Sequence, residues 1–275
     1  MRSARVVLPL LGVAAAAYRA LWWEPRHVRL TFRTLALPAW PERLDGLRVA
    51  VIADLHTGAP HVSLSKLTRV VERVNAEEPD LVALLGDYVD PRVTGATRIP
   101  IAEVASALAG LEAPLGAVAV LGNHDWAEGG RETTSAFREA GISVLENEAV
   151  SVGRGLWVTG LADAGSRAPD LVAALAAVPE RAPVLLLSHN PDVFPEVPEG
   201  VSLTLSGHTH GAQVDLPLVR DRVTPSRFGA HYAGGVFEER GRLLFVSRGV
   251  GTSRLPARFL APPEVALLKL TSRAR

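Results

Sequence analysis

The chain has 275 residues, room for one large domain or two small ones, and with 48% hydrophobic and 21% charged residues it is globular rather than disordered. Twenty-nine basic residues balance 29 acidic ones, so no overall basic footprint for nucleic acid exists and no nucleic-acid partner is expected. The lack of cysteine excludes thiolate nucleophiles, disulfides and thiolate-held metals, leaving nitrogen and oxygen as the only possible metal ligands.

Three stretches follow one another: residues 1–23, an anchor or signal segment; 24–46, a leading strand and connection; and 47–275, the catalytic domain. Arg2 and Arg5 precede Val6–Tyr18, which carries no charge; Arg19 interrupts, and Leu21-Trp22-Trp23 follows. If Arg19 snorkels, the apolar helix reaches Trp23 and spans about 27 Å, close to a hydrocarbon core of roughly 30 Å. The expectation is a retained membrane anchor with the Trp pair at the interface. A cleaved signal, with Ala14–Ala17 as small residues near a cleavage site, and a buried soluble helix are the alternatives. Arg19, Arg26, Arg29 and Arg33 after the stretch slightly outweigh Arg2 and Arg5 before it, which leans towards a cytoplasmic catalytic domain.

Alternation in Val28–Arg33 predicts a half-exposed strand, and Pro38 and Pro41 mark the connection beyond it. Apolar runs at Leu47–Ala53, Leu81–Leu85, Ala117–Leu121, Val184–Leu187 and Val201–Leu205 read as buried strands, joined by Ile142–Leu145, Leu156–Leu161, Leu243–Ser247 and Val265–Leu270. Helical spacing predicts helices over Ser63–Asn75, capped by Ser63 or Ser65, and over Ile99–Leu111, Glu132–Ala140 and Pro169–Val178. Strand and helix alternate in the first half and strands dominate the second. The expectation is therefore an α/β fold with two mixed sheets and helices outside, in one domain after residue 46.

Five of these runs end in polar motifs: Asp54-Leu55-His56, Gly86-Asp87-Tyr88-Val89-Asp90, Gly122-Asn123-His124-Asp125, Ser188-His189-Asn190 and Gly207-His208-Thr209-His210. Sites in α/β sheets lie at the carboxyl ends of strands. Carboxylates and imidazoles therefore converge on one place, which predicts a metal site. Gly86, Gly122 and Gly207 each precede a motif residue where the chain must turn off a strand and leave room. His27, His61 and His231 read as ordinary histidines and Asp192 as a turn residue. The basic stretch Arg220–Arg227 reads as a solvated loop or a receiver of an anionic head group.

The five motifs, in this order, resemble the calcineurin-like metallophosphoesterases over roughly Leu47 to Leu270. The resemblance implies a four-layer α-β-β-α sandwich behind an N-terminal apolar helix. It also implies a binuclear site bridged by Asp87. By the same match Asp54, His56 and His210 would complete one metal's ligands, and Asn123, His189 and His208 the other's. His124 would meet the scissile phosphate and leaving oxygen as a catalytic residue, steadied by Asp125, with Asp90 orienting the ligands. Two carboxylates against two divalent ions leave net positive charge for a hydroxide and a phosphate. The imidazole-rich set favours Mn, Fe, Zn or Co over Mg.

Asp54–Gly58, Ser188–Asp192, Ser206–Gln213 and Ser247–Ser253 look most like a small bacterial, membrane-anchored branch, with Ala212 departing from an expected Gly. Arg248, Arg254 and Arg258 lie in a segment similar to that branch's substrate-rim loops. The implied function is a two-metal hydrolase of a phosphodiester or pyrophosphate bond. Its phosphoester substrate would be lipid-linked, such as UDP-2,3-diacylglucosamine, a lipid A precursor. A general phosphodiesterase or phosphatase for soluble or cell-wall phosphoesters is the alternative, and a non-catalytic scaffold the reading from another class.

Overall fold

The structure, a computed structural model, describes residues 2–273. Its strands form two six-stranded sheets. In the first, β1 (Arg29–Leu37) pairs with β12 (Glu264–Ser272), then come β2 (Leu47–Ile52), β3 (Leu81–Leu84), β4 (Ala117–Ala119) and β5 (Ser143–Val144). All neighbours run parallel except β12 and β2. The second sheet is ordered β10 (Gly235–Glu239), β11 (Arg242–Val246), β9 (Leu203–Ser206), β8 (Val184–Leu187), β7 (Leu156–Gly160) and β6 (Glu148–Gly153). It is parallel except at its two edge pairs.

Alternation along the central strands sorts side chains between two cores. Val49, Val51, Leu81 and Ala83 meet Leu185, Leu187, Leu203 and Phe245 of the other sheet in one apolar layer. Ala50, Ile52, Val82 and Leu84 face outwards, onto α2 (Leu64–Asn75), α3 (Ile101–Leu108) and α4 (Asn123–Glu139). The second sheet's outer face carries less helix: α5 (Leu171–Leu175) and the 3₁₀ turn Pro191–Glu196, packed on Leu186 and Leu244. Ser63 caps α2 by accepting from Lys66 N–H.

The structure does not support the expected membrane-spanning helix at the N-terminus. Helix α1 (Arg2–Tyr18) has 17 residues, about 25 Å at 1.5 Å each. It passes into a π-helical turn, Arg19–Trp23, and a 3₁₀ turn, Glu24–Arg26. Among the described residues no helix is long and apolar enough to cross a membrane. The reason lies at Arg19, which does not extend the apolar run but pairs with buried Glu24 at 3.0 Å. Glu24 also accepts from Ala261 N–H at 2.8 Å and Ala20 O from Arg258 N–H at 2.8 Å, so the helix end is fastened to the body. Leu10, Leu11, Val13, Tyr18, Leu21, Trp22 and Trp23 stay exposed.

Two strands escaped the sequence pattern: β6 and β10, half-exposed edges with polar residues interspersed. Helix α4 is two helical stretches joined at a kink at Gly129 (φ 122°): the second contains the helix expected from apolar spacing, and the first, whose opening turn is the Gly122–Asp125 motif, was not expected.

Candidate metal centre

The carboxyl ends of β2, β3, β4, β8 and β9 meet at one edge of the sandwich, and the loops that leave them stay in register. Asp54 N–H donates to Gly86 O, His56 N–H to Asp87 O and Thr57 N–H to Tyr88 O. Gly207 N–H donates to His189 O, and Gly251 N–H to Asp54 O. Asp54, His56, Asp87, His208 and His210 all adopt left-handed backbone, with φ between 44° and 71°. Non-glycine residues rarely hold that conformation, and it persists where surrounding structure enforces it, typically at functional sites.

The predicted ligands come together in two groups. Asp54, His56 and His210 form one: His56 Nε2 is 3.1 Å from His210 Nε2, which is 3.6 Å from Asp54 Oδ1. Asp87, His189 and His208 form the other: His189 Nε2 is 3.3 Å from Asp87 Oδ2 and 3.1 Å from His208 Nδ1. Asp87 Oδ2 also lies 3.7 Å from His56 Nε2, between the groups. The Asn123 side-chain oxygen is buried without a hydrogen-bond partner. Gly122 must be glycine, because a Cβ there would run into Asp87 Oδ1 and His189 Cε1.

The second layer fixes how these groups point. His189 Nδ1 lies 2.7 Å from Leu85 O, which makes Nδ1–H the donor and turns the Nε2 lone pair inwards. Asp54 accepts from His208 N–H and Asp87 Oδ1 from His124 N–H. Asp125 accepts the N–H groups of Asp87, Tyr88 and Gly122 at 2.7–2.8 Å, binding the β3 and β4 loops together. The carboxylate at the His124 ring is Asp90, 2.7 Å from Nδ1, the place the sequence reading gave to Asp125. Asp90 in turn is held by Arg92 Nε at 3.0 Å.

Electrostatics follow from burial. Burial, and then Asp87, push the Asp125 carboxyl up to about 7; burial pushes Asp54 to about 6. Burial and then His189 bring His208 down to about 4, and burial with His56 and Arg258 holds His210 well below the usual range. Burial opposes charge at Asp87 and His189, but His189 and His56 outweigh it for Asp87, and Asp87 for His189. Imidazoles pressed 3.1 Å apart, with lone pairs converging and an orphaned amide oxygen beside them, make a nitrogen–oxygen set suited to divalent cations.

Three residues were missed or misplaced by the sequence reading. Arg258, expected on a rim, is wholly buried and donates to the carbonyls of His210, Arg248, Gly249, Gly251 and Ala261. Asp163, buried after β7, has one oxygen held by Gly165 N–H and Ser166 Oγ and the other unpartnered. Its only signal was a polar residue ending an apolar run. Arg92 carried no signal. Asp192 is the turn residue expected, accepting from Ser226 and Arg227. His27, His61 and His231 lie outside both groups.

Comparison with known proteins adds the following. The family model Calcineurin-like phosphoesterase matches residues 47–212. The chain is 32% identical over 261 residues to the Bacillus subtilis protein named uncharacterized metallophosphoesterase YkuE, covering 92% of this chain and 89% of that one. It is 29% identical to a Danio rerio transmembrane protein with metallophosphoesterase domain, over 97% of this chain and 62% of the relative. It is 27% identical to the Chlamydia trachomatis UDP-2,3-diacylglucosamine pyrophosphatase LpxG, over 97% of this chain and 98% of the relative.

Proposed function

Because the chain belongs to the calcineurin-like phosphoesterase family and is a metal-dependent phosphoesterase, we propose that it hydrolyses a phosphodiester or pyrophosphate bond of a lipid-linked substrate using two divalent cations. The observation that carries the reading is the pair of ligand groups meeting at Asp87, with His124 Nε2 3.8 Å from the same carboxylate. Asp54, His56, Asp87 and His210 would hold one cation, and Asp87, Asn123, His189 and His208 the other. When bound, such a pair polarises the phosphoryl group and lowers the pKa of attacking water.

The chain's own residues do the rest. Burial works against a charge on His124, but the Asp90 contact and the Asp87 charge more than offset it and raise its proton affinity. The ring is anchored at Nδ1 between Asp90 and Arg92, and Nε2 is left to exchange a proton with the leaving oxygen. Arg92 lies beside His124, half exposed, where its guanidinium can meet phosphate oxygens. Asp125 acts at one remove, fixing the backbone that presents Asp87 and Asn123.

A lipid-linked substrate is supported by the likeness to the chlamydial pyrophosphatase and by the exposed apolar residues of the N-terminal segment. In this reading the segment lies against a membrane surface. The test is hydrolysis by purified protein with Mn²⁺ of bis(p-nitrophenyl) phosphate, p-nitrophenyl phosphate and UDP-diacylglucosamine. Strong preference for the lipid nucleotide is expected. Equal turnover of the simple diester would make the enzyme a general phosphodiesterase.

A further inference from the structure

A second charged site lies outside the metal centre. The turn after ligand His56 runs through Gly58 and His61 into the start of α2, and with Arg26 it encloses a cleft of about 590 Å³. Arg26, His61, Lys66 and Arg69 line it, and among the described residues none of its lining is acidic. Among the described residues, none of Arg26, Lys66 and Arg69 takes part in an ion pair. Lys66 is buried, 8% exposed, and its ammonium has one hydrogen bond, to Pro25 O at 2.9 Å. Burial first, then Arg258, Arg69 and Arg26, pull Lys66 down to about 7. A buried ammonium with one hydrogen bond and guanidinium groups as its strongest charged influences is costly unless an anion joins it. The first turn of α2 holds no acidic residue, so the helix's positive end adds to the same field.

The surroundings indicate where that anion comes from. Trp22, about half exposed, stands at the cleft's edge: Arg26 stacks on it, and His61 meets its ring edge-on at 6.3 Å; the next residue, Trp23, is exposed too and stacks on His27. Leu21, Leu255 and Leu260 are exposed nearby, because Ala20 and Glu24 are tied to Arg258 and Ala261. Indole rings beside basic side chains suit the interface between lipid tails and head groups.

We propose that this cleft binds the phosphate of an anionic lipid headgroup, with Arg26, Lys66 and Arg69 engaging it at the base of the N-terminal helix. The inference rests on the reading of that segment as membrane-surface contact. It adds a built phosphate site, next in sequence to ligand His56, that orients the metal centre towards the lipid surface. Lys66 is thereby kept as a cation by its ligand.

The test is co-sedimentation of the full chain with phosphatidylcholine vesicles and with vesicles containing one quarter phosphatidylglycerol. Wild type is compared with Arg69→Glu, Arg26→Glu and Lys66→Met. Wild type should bind the anionic vesicles at least about tenfold more tightly, as expected for several basic side chains near such a surface. Each variant should lose most of that preference while keeping wild-type binding to neutral vesicles and wild-type hydrolysis of bis(p-nitrophenyl) phosphate. Lys66→Met should fold and melt no lower than wild type. Equal preference in wild type and variants would overturn the proposal alone. No binding to either vesicle would overturn it together with the membrane reading, while diester hydrolysis reports separately on the phosphoesterase. Millimolar glycerol phosphate raising the melting temperature of wild type but not of Lys66→Met, without vesicle preference, would assign the cleft to a soluble phosphate and overturn the lipid source.

Discussion

Asp87 stands between two sets of imidazoles and accepts a backbone hydrogen bond through its other oxygen, so its charge serves both ligand groups at once. Asp87→Asn keeps the shape and removes that charge; metal per chain, measured by elemental analysis, should fall for both ions and turnover should drop to background. Retention of two metals with normal turnover would refute the bridging role. His124 is a different case: it clusters with His56 and Asp87 but also pairs with Asp90 through Nδ1, and we assign it to proton transfer rather than to metal binding. His124→Ala should keep its metals and lose about 10²–10⁴-fold in rate, the usual range for acid–base groups. The five ordered motifs made these residues legible before any coordinates, because each follows an apolar run. The partner of His124 was not legible: Asp125 is adjacent in sequence, but the first turn of α4 directs it onto the backbone of Asp87, Tyr88 and Gly122. Asp90, on another loop, reaches the ring instead.

At the scale of elements, much of what holds the site lies in segments that carry little periodic signal. Arg258 collects five carbonyls from three stretches of chain and has no solvent exposure. Its removal leaves the carbonyls of Arg248, Gly251 and Ala261 without a donor, while those of His210 and Gly249 keep Gln213 N–H and Glu264 N–H. Arg258→Met should cost about 3 kcal/mol or more, read as a fall in melting temperature of roughly 6–12 °C. Arg258→Lys should rescue little, since a compact ammonium cannot replace a planar fork. In α2, Lys66 predicts a pH dependence. Its pKa falls from 10.5 to about 7 on folding, so the unfolded chain binds more protons between those values. Its contribution to stability is full above the unfolded pKa and is lost as pH falls towards 7. Urea unfolding of Lys66→Met should lack the rise in stability that wild type shows across this window. Apolar runs revealed the buried strands because both faces of each are covered. The edge strands β6 and β10 escaped for the opposite reason, since their exposed faces dilute the pattern.

For the whole molecule, the two candidate ligand groups draw on loops from both sheets, so cations held there would brace the sandwich where its halves meet. Chelation followed by Mn²⁺ titration should raise the melting temperature progressively, as expected of a ligand that binds only the folded state. A melting temperature indifferent to metal would separate the site from the fold's stability. The order β1-β12-β2 carries a consequence for synthesis. Residues 264–272 are inserted between two strands that are made well before them. Until they emerge, β1 and β2 each present an open edge to whatever surrounds the ribosome, and Glu24 waits for Ala261. The nascent protein therefore depends on β12 to close the first sheet, and on the turn just before it to seat Glu24.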